Sequence, residues 1–315
     1  MQKRTDKIRI IEDVYRFLHR NLNSCSLCPR RCQVNRLNNE KGICEAKDKL
    51  IVYAAFLHKG EEPPISGKKG SGTIFFSGCN LRCVYCQNYK FSHKIEGKII
   101  TPYELSRIML RLQYKGAHNI NLVTATPLLP LILESLLVAL NDGLDLPIVY
   151  NSSGYESVDI LKMLEGIIDI YLVDFKYISP KTSKELSKAT NYPHIAKEAV
   201  KEMYRQKKIA RFKGNIMQEG IIIRHLIMPN HIEESKRILL WLKDNTPLGY
   251  ISIMSQYQPY HKAYQHPSIN RPINKEEYTA ISSFIEEIGI EKGWQQEFAP
   301  LEALAGIHFA PEFPL

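Results

Sequence analysis

Thr73-Ile74-Phe75-Phe76-Ser77-Gly78-Cys79-Asn80-Leu81-Arg82-Cys83-Val84-Tyr85-Cys86-Gln87-Asn88 is the stretch on which the reading of this chain turns. An apolar, strand-like run from Thr73 to Ser77 leads directly into three thiols. A closed zinc or iron-sulfur site takes four protein ligands. Cys79, Cys83 and Cys86 would therefore hold three corners of a cubane and leave one iron open to an outside ligand. The blander readings are a zinc knuckle whose last ligand lies elsewhere, a set of buried apolar thiols, or a disulfide with a spare cysteine. His93 is the nearest candidate for a fourth ligand. The surroundings favour the open cluster, because a strand precedes the cysteines and alternating helical and strand patterns follow them.

That alternation runs far downstream. Strand patterns fall at Thr73 to Ser77, Asn119 to Thr126, Pro147 to Gly154, Ile167 to Tyr177, Ile221 to Pro229 and Tyr250 to Tyr257. Between them lie helical patterns from about 102, over 128–140 with an interruption near Pro130, and near 157–165, 193–206 and 232–243. A last helix spans about 275–288. Thr101 and Glu104 form a capping box at the start of the first of these helices. Six βα units predict an α/β fold, a partial (β/α)6 barrel with an N-terminal cysteine-rich extension. Its site is expected at the carboxyl ends of the strands, where the polar residues of these strands gather.

Upstream, Ile8, Ile11, Val14, Tyr15, Leu18 and Leu22 recur at helical spacing and predict an amphipathic helix. Cys25, Cys28, Cys32 and Cys44 follow, and Gly42 allows the intervening loop to fold back so that four soft ligands converge. Such a set suits tetrahedral zinc or a second iron-sulfur cluster, and the sequence does not choose between them. Arg30, Arg31 and Arg36 either offset thiolate charge or are solvated. Residues 50–57 read as a buried strand or short helix. Glu61 and Glu62, ahead of two prolines, read as solvated loop carboxylates rather than site residues. The expected organisation is an extension over 1–72, a barrel over 73–290 and a tail over 291–315.

The chain of 315 residues is 44% hydrophobic and 24% charged, which describes a globular protein with ample core. It has no apolar run long enough to cross a membrane and no apolar segment of signal-peptide type behind Met1, so a cytoplasmic protein is expected. All 7 cysteines precede residue 87, a distribution that argues for metal ligation rather than disulfides. The net charge of +9 admits an acidic or nucleic-acid partner, but lysine and arginine are spread along the chain and read mainly as solubility.

C-N-L-R-C-V-Y-C resembles the cluster loop of radical S-adenosylmethionine (SAM) enzymes. In that family SAM chelates the open iron, and an electron from the [4Fe-4S] cluster splits the sulfonium to a 5'-deoxyadenosyl radical. With Gln87-Asn88-Tyr89, Asp174-Phe175-Lys176 and Arg224-His225-Leu226-Ile227-Met228-Pro229-Asn230, the chain is most similar to the pyruvate formate-lyase activating enzyme group over about residues 73–260. The resemblance implies that Lys176 and Arg224 hold the SAM carboxylate, Asp174 the ribose or a nearby cation, and Tyr85 the adenine. Two positions depart from it. The family's Gly-Gly-Glu run is Thr124-Ala125-Thr126 here, and its Asp-Thr-Asn-Gly is Asn151-Ser152-Ser153-Gly154. Thr126 and Asn151 are therefore the cofactor-binding candidates on those strands.

The expected function is a radical SAM oxidoreductase that takes hydrogen from a protein glycine, as activators of glycyl-radical enzymes do. Its reductant would be a flavodoxin or ferredoxin. The rivals are modification of RNA or a small metabolite, and a metal-binding scaffold without catalysis. Asp174 and Arg224 also admit a plain structural ion pair. His225, on the opposite face of its strand from Arg224, is expected to pack.

Overall fold

A computed structural model describes residues 2–298. The tail expected over 291–315 therefore lies mostly, from residue 299 on, outside the described residues. Helix α1 (Gln2–Arg20) carries the predicted apolar stripe, with Ile11, Leu18 and the following Leu22 fully buried. It lies against α5 (Leu129–Asn141), and the buried Lys7 reaches Asp169 at 2.6 Å. The four-cysteine segment follows as an irregular loop and leads into β1 (Leu50–His58).

After a single turn, α2 (Pro63–Ser66), the chain enters β2 (Ser71–Phe76) and then the three-cysteine loop, closed by α3 (Tyr89–Ser92) and β3 (Lys98–Ile100). Next come α4 (Pro102–Tyr114), β4 (Ile120–Val123), α5, β5 (Ile148–Ser152), α6 (Val158–Met163) and β6 (Ile170–Asp174). Two consecutive helices, α7 (Pro180–Ser187) and α8 (Tyr192–Lys207), lead to a hairpin of β7 (Arg211–Lys213) and β8 (Ile216–Leu226). The rest is α9 (Ile232–Asn245), β9 (Tyr250–Met254), α10 (Lys275–Ile288) and β10 (Gly293–Gln295). The capping box at Thr101 and Glu104 is present. Pro130 does not interrupt α5. It occupies the first turn, where its missing N–H has no intrahelical partner to lose.

The sheet order is β10-β9-β8-β6-β5-β4-β2-β1-β3, parallel from β10 through β2 and antiparallel at β1 and β3. The fold is thus the expected open, mostly parallel α/β barrel. Its parallel strands are mostly apolar on both faces, as buried parallel strands must be, with Thr73, Asn121, Asn151 and Ser252 among the buried polar exceptions. Outward residues such as Tyr171, Val173, Ile221 and Ile223 join the large core beneath the helices. Inward residues Val149, Ile170, Leu172 and Ile222 form a separate cluster with Ile65 and Met217.

Ile65 reaches that interior because β1 runs antiparallel to β2. His58 pairs with Ser71, so the chain leaves β1 at the amino-terminal end of the parallel strands. Segment 59–66 then turns inward and plugs the barrel from below. Ile65 is fully buried there, and its carbonyl accepts a 2.8 Å hydrogen bond from the Asn119 side chain.

Candidate functional site

The three-cysteine loop leaves β2 through Gly78, whose φ of +97° only glycine adopts freely. A Cβ there would stand 2.8 Å from the Cys44 carbonyl oxygen, so the two cysteine-bearing loops are in backbone contact. Distant segments hold the loop's shape. Val84 N–H donates to Leu186 O at 2.8 Å, Arg82 N–H to Ser187 O at 3.3 Å, and Lys262 N–H to Val84 O at 2.8 Å. Each sulfur has a nearby polar group: Leu81 N–H donates to Cys79 Sγ at 3.4 Å, Ser187 Oγ–H donates to Cys83 Sγ at 2.9 Å, and Ser92 Oγ lies 3.2 Å from Cys86 Sγ. Burial pushes all three thiols up, that of Cys86 to about 11. His93, weighed above as a fourth ligand, instead faces His261, with ring nitrogens 3.2 Å apart.

The three cysteines line one cavity together with Tyr85, Asn151, Asp174, Lys176 and Arg224. Strand register explains the convergence. Asp174 pairs with Arg224, and Arg224 with Ser252, so these side chains share one inward layer, while Asn151 sits one layer below. Lys176 Nζ lies 2.6 Å from Asp174 Oδ2, and Arg224 Nε 2.8 Å from Asp174 Oδ1. Burial works to raise the Asp174 carboxyl, but the two cations outweigh it and hold it below its ordinary value. Arg224 also donates through Nη2 to Asn151 Oδ1 at 2.8 Å and through Nη1 to Glu61 Oε2 at 3.3 Å. Tyr85, buried beside Tyr257, accepts a 2.7 Å hydrogen bond from the Tyr177 hydroxyl.

Glu61 and Glu62 correct the reading of a solvated pair. The barrel plug lifts both into the interior, where their side chains are 8% and 6% exposed. Glu61 lines the cavity. Glu62 Oε1 accepts from Ser252 Oγ at 3.3 Å, its Oε2 has no hydrogen bond, and burial pushes its carboxyl up to about 7 against the pull of Arg224.

Thr126 differs from its expected place: it is not part of the cavity wall. Its hydroxyl donates to the buried Glu156 at 2.7 Å and lies 3.1 Å from Tyr150 OH, because the chain turns away from the cavity after Ala125. Thr124 lines the wall instead, at a φ of 59° that is costly for a β-branched residue. Nothing in its sequence context marks it. His225 packs as expected, its ring nitrogens 2.8 Å from Phe175 O and 2.8 Å from Ser235 Oγ.

The family model of the radical SAM superfamily matches residues 73–245, more than half of the chain. The chain belongs to the radical SAM superfamily. Two relatives of this radical SAM chain are uncharacterised proteins of Methanocaldococcus jannaschii. MJ0674 is 32% identical over 292 residues, 90% of this chain and 79% of that protein. MJ0808 is 23% identical over 272 residues, 79% of this chain and 74% of that protein. Among solved structures, Streptococcus suis SuiB bound to S-adenosylmethionine is 12% identical with a TM-score of 0.48, covering 70% of this chain and 48% of SuiB. Methylornithine synthase (PylB) is 14% identical with a TM-score of 0.44, covering 66% and 59%. The chain thus spans about half the length of SuiB.

The cavity fits the SAM and [4Fe-4S] cluster that this superfamily implies. Three sulfurs with their own polar neighbours, a lysine beside them and an orphaned, buried Asn88 Oδ1 on the same wall make a polar cradle. Among the described residues, no three His, Cys, Asp or Glu side chains gather closely enough to hold a single metal ion. No helix among them is long and apolar enough to cross a membrane.

The upstream loop brings its four cysteines into one neighbourhood. Cys25 N–H donates to Val34 O and Gln33 N–H to Cys25 O, both at 3.0 Å, which folds Cys32 back beside Cys25. Gly42 closes the set: a Cβ there would meet Cys32 Sγ at 2.5 Å. Burial pushes the thiols of Cys28, Cys32 and Cys44 up, and the nearness of Cys25 adds to the rise in each. Arg31, Gln33, Asn39 and Glu45 all take positive φ in this short loop, a strained path that surrounding structure must over-determine. Of the three arginines, Arg36 is buried with Nη1 4.0 Å from Cys25 Sγ. Arg30 caps the three-cysteine loop at Asn80 O, 2.9 Å away, and Arg31 remains exposed.

Proposed function

We propose that this chain reductively cleaves SAM at a [4Fe-4S] cluster held by Cys79, Cys83 and Cys86. The observation that carries this reading is the convergence of three sulfurs, Tyr85, Lys176 and Arg224 on one cavity. When bound, cluster and SAM supply one-electron scission of the sulfonium, with 5'-deoxyadenosine as the product once hydrogen has been taken from a substrate. The protein's part is to bind, orient and exclude water. Lys176 holds the SAM carboxylate with Arg224, whose Nη1 contact to Glu61, 3.3 Å, is the longest of its three hydrogen bonds and the one to give way. Asp174 orders both cations and faces the ribose. Tyr85 presents its ring to the adenine, and Asn151 fixes Arg224.

The substrate we assign is a protein glycine, on the likeness of the cluster loop, Asp174-Phe175-Lys176 and the Arg224-to-Asn230 run to glycyl-radical activating enzymes. The reductant is a flavodoxin or ferredoxin. Anaerobically reconstituted protein with dithionite and SAM is expected to form 5'-deoxyadenosine, and Cys83→Ala to form none while keeping metal at the four-cysteine loop. A fully loaded wild type that yields no 5'-deoxyadenosine returns the chain to a non-catalytic scaffold. For the substrate, deuterium from a glycine-labelled partner protein should appear in the 5'-deoxyadenosine. If it appears only with RNA or a metabolite, the glycine assignment fails.

A further inference from the structure

Cys25, Cys28, Cys32 and Cys44 are four soft ligands that the cavity chemistry does not use. A structural zinc staples modules too small to bury a core of their own. This segment has no such need. Leu18, Leu22, Cys25, Leu27, Cys44 and Ala46 belong to the same continuous core as the barrel. Helix α1 is further tied down by the buried Lys7–Asp169 pair.

Three contacts instead join the segment to the loop of Cys79, Cys83 and Cys86. Gly78 admits the Cys44 carbonyl with no room for a side chain. Arg30 donates to Asn80 O at 2.9 Å, and Arg82 reaches back to Ile43 O and to Glu45. Arg36 Nε is buried without a hydrogen-bond partner, on a guanidinium whose Nη1 lies 4.0 Å from Cys25 Sγ. Orphaned guanidinium donors of this kind are costly unless an anion accepts from them. Hydrogen bonds to cluster sulfurs are also what sets the potential of an iron-sulfur centre.

We propose that Cys25, Cys28, Cys32 and Cys44 bind a second [4Fe-4S] cluster that delivers electrons to the three-cysteine site. Cys79, Cys83 and Cys86 line the cavity that SAM would fill, whereas Arg31 and Lys41 at the edge of the four-cysteine loop are half or more exposed and open to an incoming donor. A flavodoxin- or ferredoxin-class donor gives one electron to the outer cluster, taking it from the 2+ to the 1+ state. The outer cluster returns to 2+ as the inner one goes from 2+ to 1+. No bond or proton moves. This role rests on the three-cysteine loop holding a cluster, but the identity of the outer metal does not.

The test uses the full chain, purified without oxygen from cells supplied with both iron and zinc. The Cys79→Ala/Cys83→Ala/Cys86→Ala variant is expected to keep about four iron and four sulfide per chain and a cubane signal in electron paramagnetic resonance after reduction. Stoichiometric zinc without sulfide overturns the assignment. Should that variant fail to fold, the wild type decides: about eight iron and eight sulfide support the proposal, and about four of each with one zinc overturn it. Arg36→Met should lower the midpoint potential of the outer cluster at unchanged iron content, and an unmoved potential removes Arg36 from the site. In Cys28→Ser/Cys44→Ser, reduction of the inner cluster by reduced flavodoxin should slow at least tenfold, while dithionite still reduces it. An unchanged flavodoxin rate ends the relay. Loaded protein that carries both clusters yet forms no 5'-deoxyadenosine would sink SAM cleavage alone.

Discussion

Glu156 is enclosed by hydroxyls, accepting from Ser152 Oγ at 2.5 Å, Thr126 Oγ1 at 2.7 Å and Tyr150 OH at 3.3 Å. Burial outweighs these bonds and pushes its carboxyl from an ordinary 4.5 up to about 7. Between those values the folded chain keeps a proton that the unfolded chain has lost. The stabilising effect is whole below about pH 4.5 and disappears as pH rises through about 7. Glu156→Gln should flatten this slope, leaving the variant on the order of 3 kcal/mol ahead of wild type at pH 8 relative to their difference at pH 4; urea unfolding across pH would show it. Asp174 and Lys176 were legible in the sequence, because charges at the end of an apolar strand need a reason and period two places these two on one face, and Arg224 stands out as a charge enclosed by apolar neighbours. Glu61 and Glu62 were not. Their partner Arg224 lies 163 positions from Glu61, and a loop has no periodicity to report which way it faces.

Helix α10 shows how much a terminus can contribute. Asn274 and Glu277 form a reciprocal capping box, and Arg271 grips the same carboxylate with Nη1–Oε2 at 2.8 Å and Nη2–Oε1 at 2.9 Å. Burial pushes the Glu277 carboxyl up, but Arg271 and the N–H groups of Asn230 and Asn274 prevail and bring it to about 2. Its stabilising contribution is therefore present above pH 4.5 and lost as pH falls through about 2. Glu277→Gln should remove that acid-side loss and cost roughly 1 kcal/mol at pH 7, Arg271 being partly solvated; thermal unfolding at pH 7 and pH 3 would check both. Elements with a strong period were readable from sequence, as the cores of β2, β4, β5, β6, β8 and β9 and the helices α4, α8, α9 and α10 show. Short pieces were not. The three-residue strands β3, β7 and β10 gain their conformation from a neighbouring strand, and α7 ends too close to the start of α8 to separate from it by pattern.

The molecule as a whole is closed from below by its own N-terminal third. Lys7 and Asp169 join α1 to the strand bases, with Asp169 Oδ2 also accepting from Ile148 N–H at 2.9 Å. Lys7→Ala leaves that carboxylate buried without its main cation and is expected to destabilise the protein by about 3 kcal/mol, read as a lower denaturant midpoint at unchanged slope. The parallel architecture followed from the βα alternation. The antiparallel edge did not, since β1 reads equally as a strand or a short helix until β2 and β3 lie beside it. The loop of Cys79, Cys83 and Cys86 is held by residues far behind it, Ser187 standing 104 positions beyond Cys83. A ribosome adding roughly 5–20 residues each second would therefore display these thiols for about 5–20 seconds before their shelter emerges. In that interval the nascent chain is open to oxygen and to stray copper, and also to whatever machinery hands over iron.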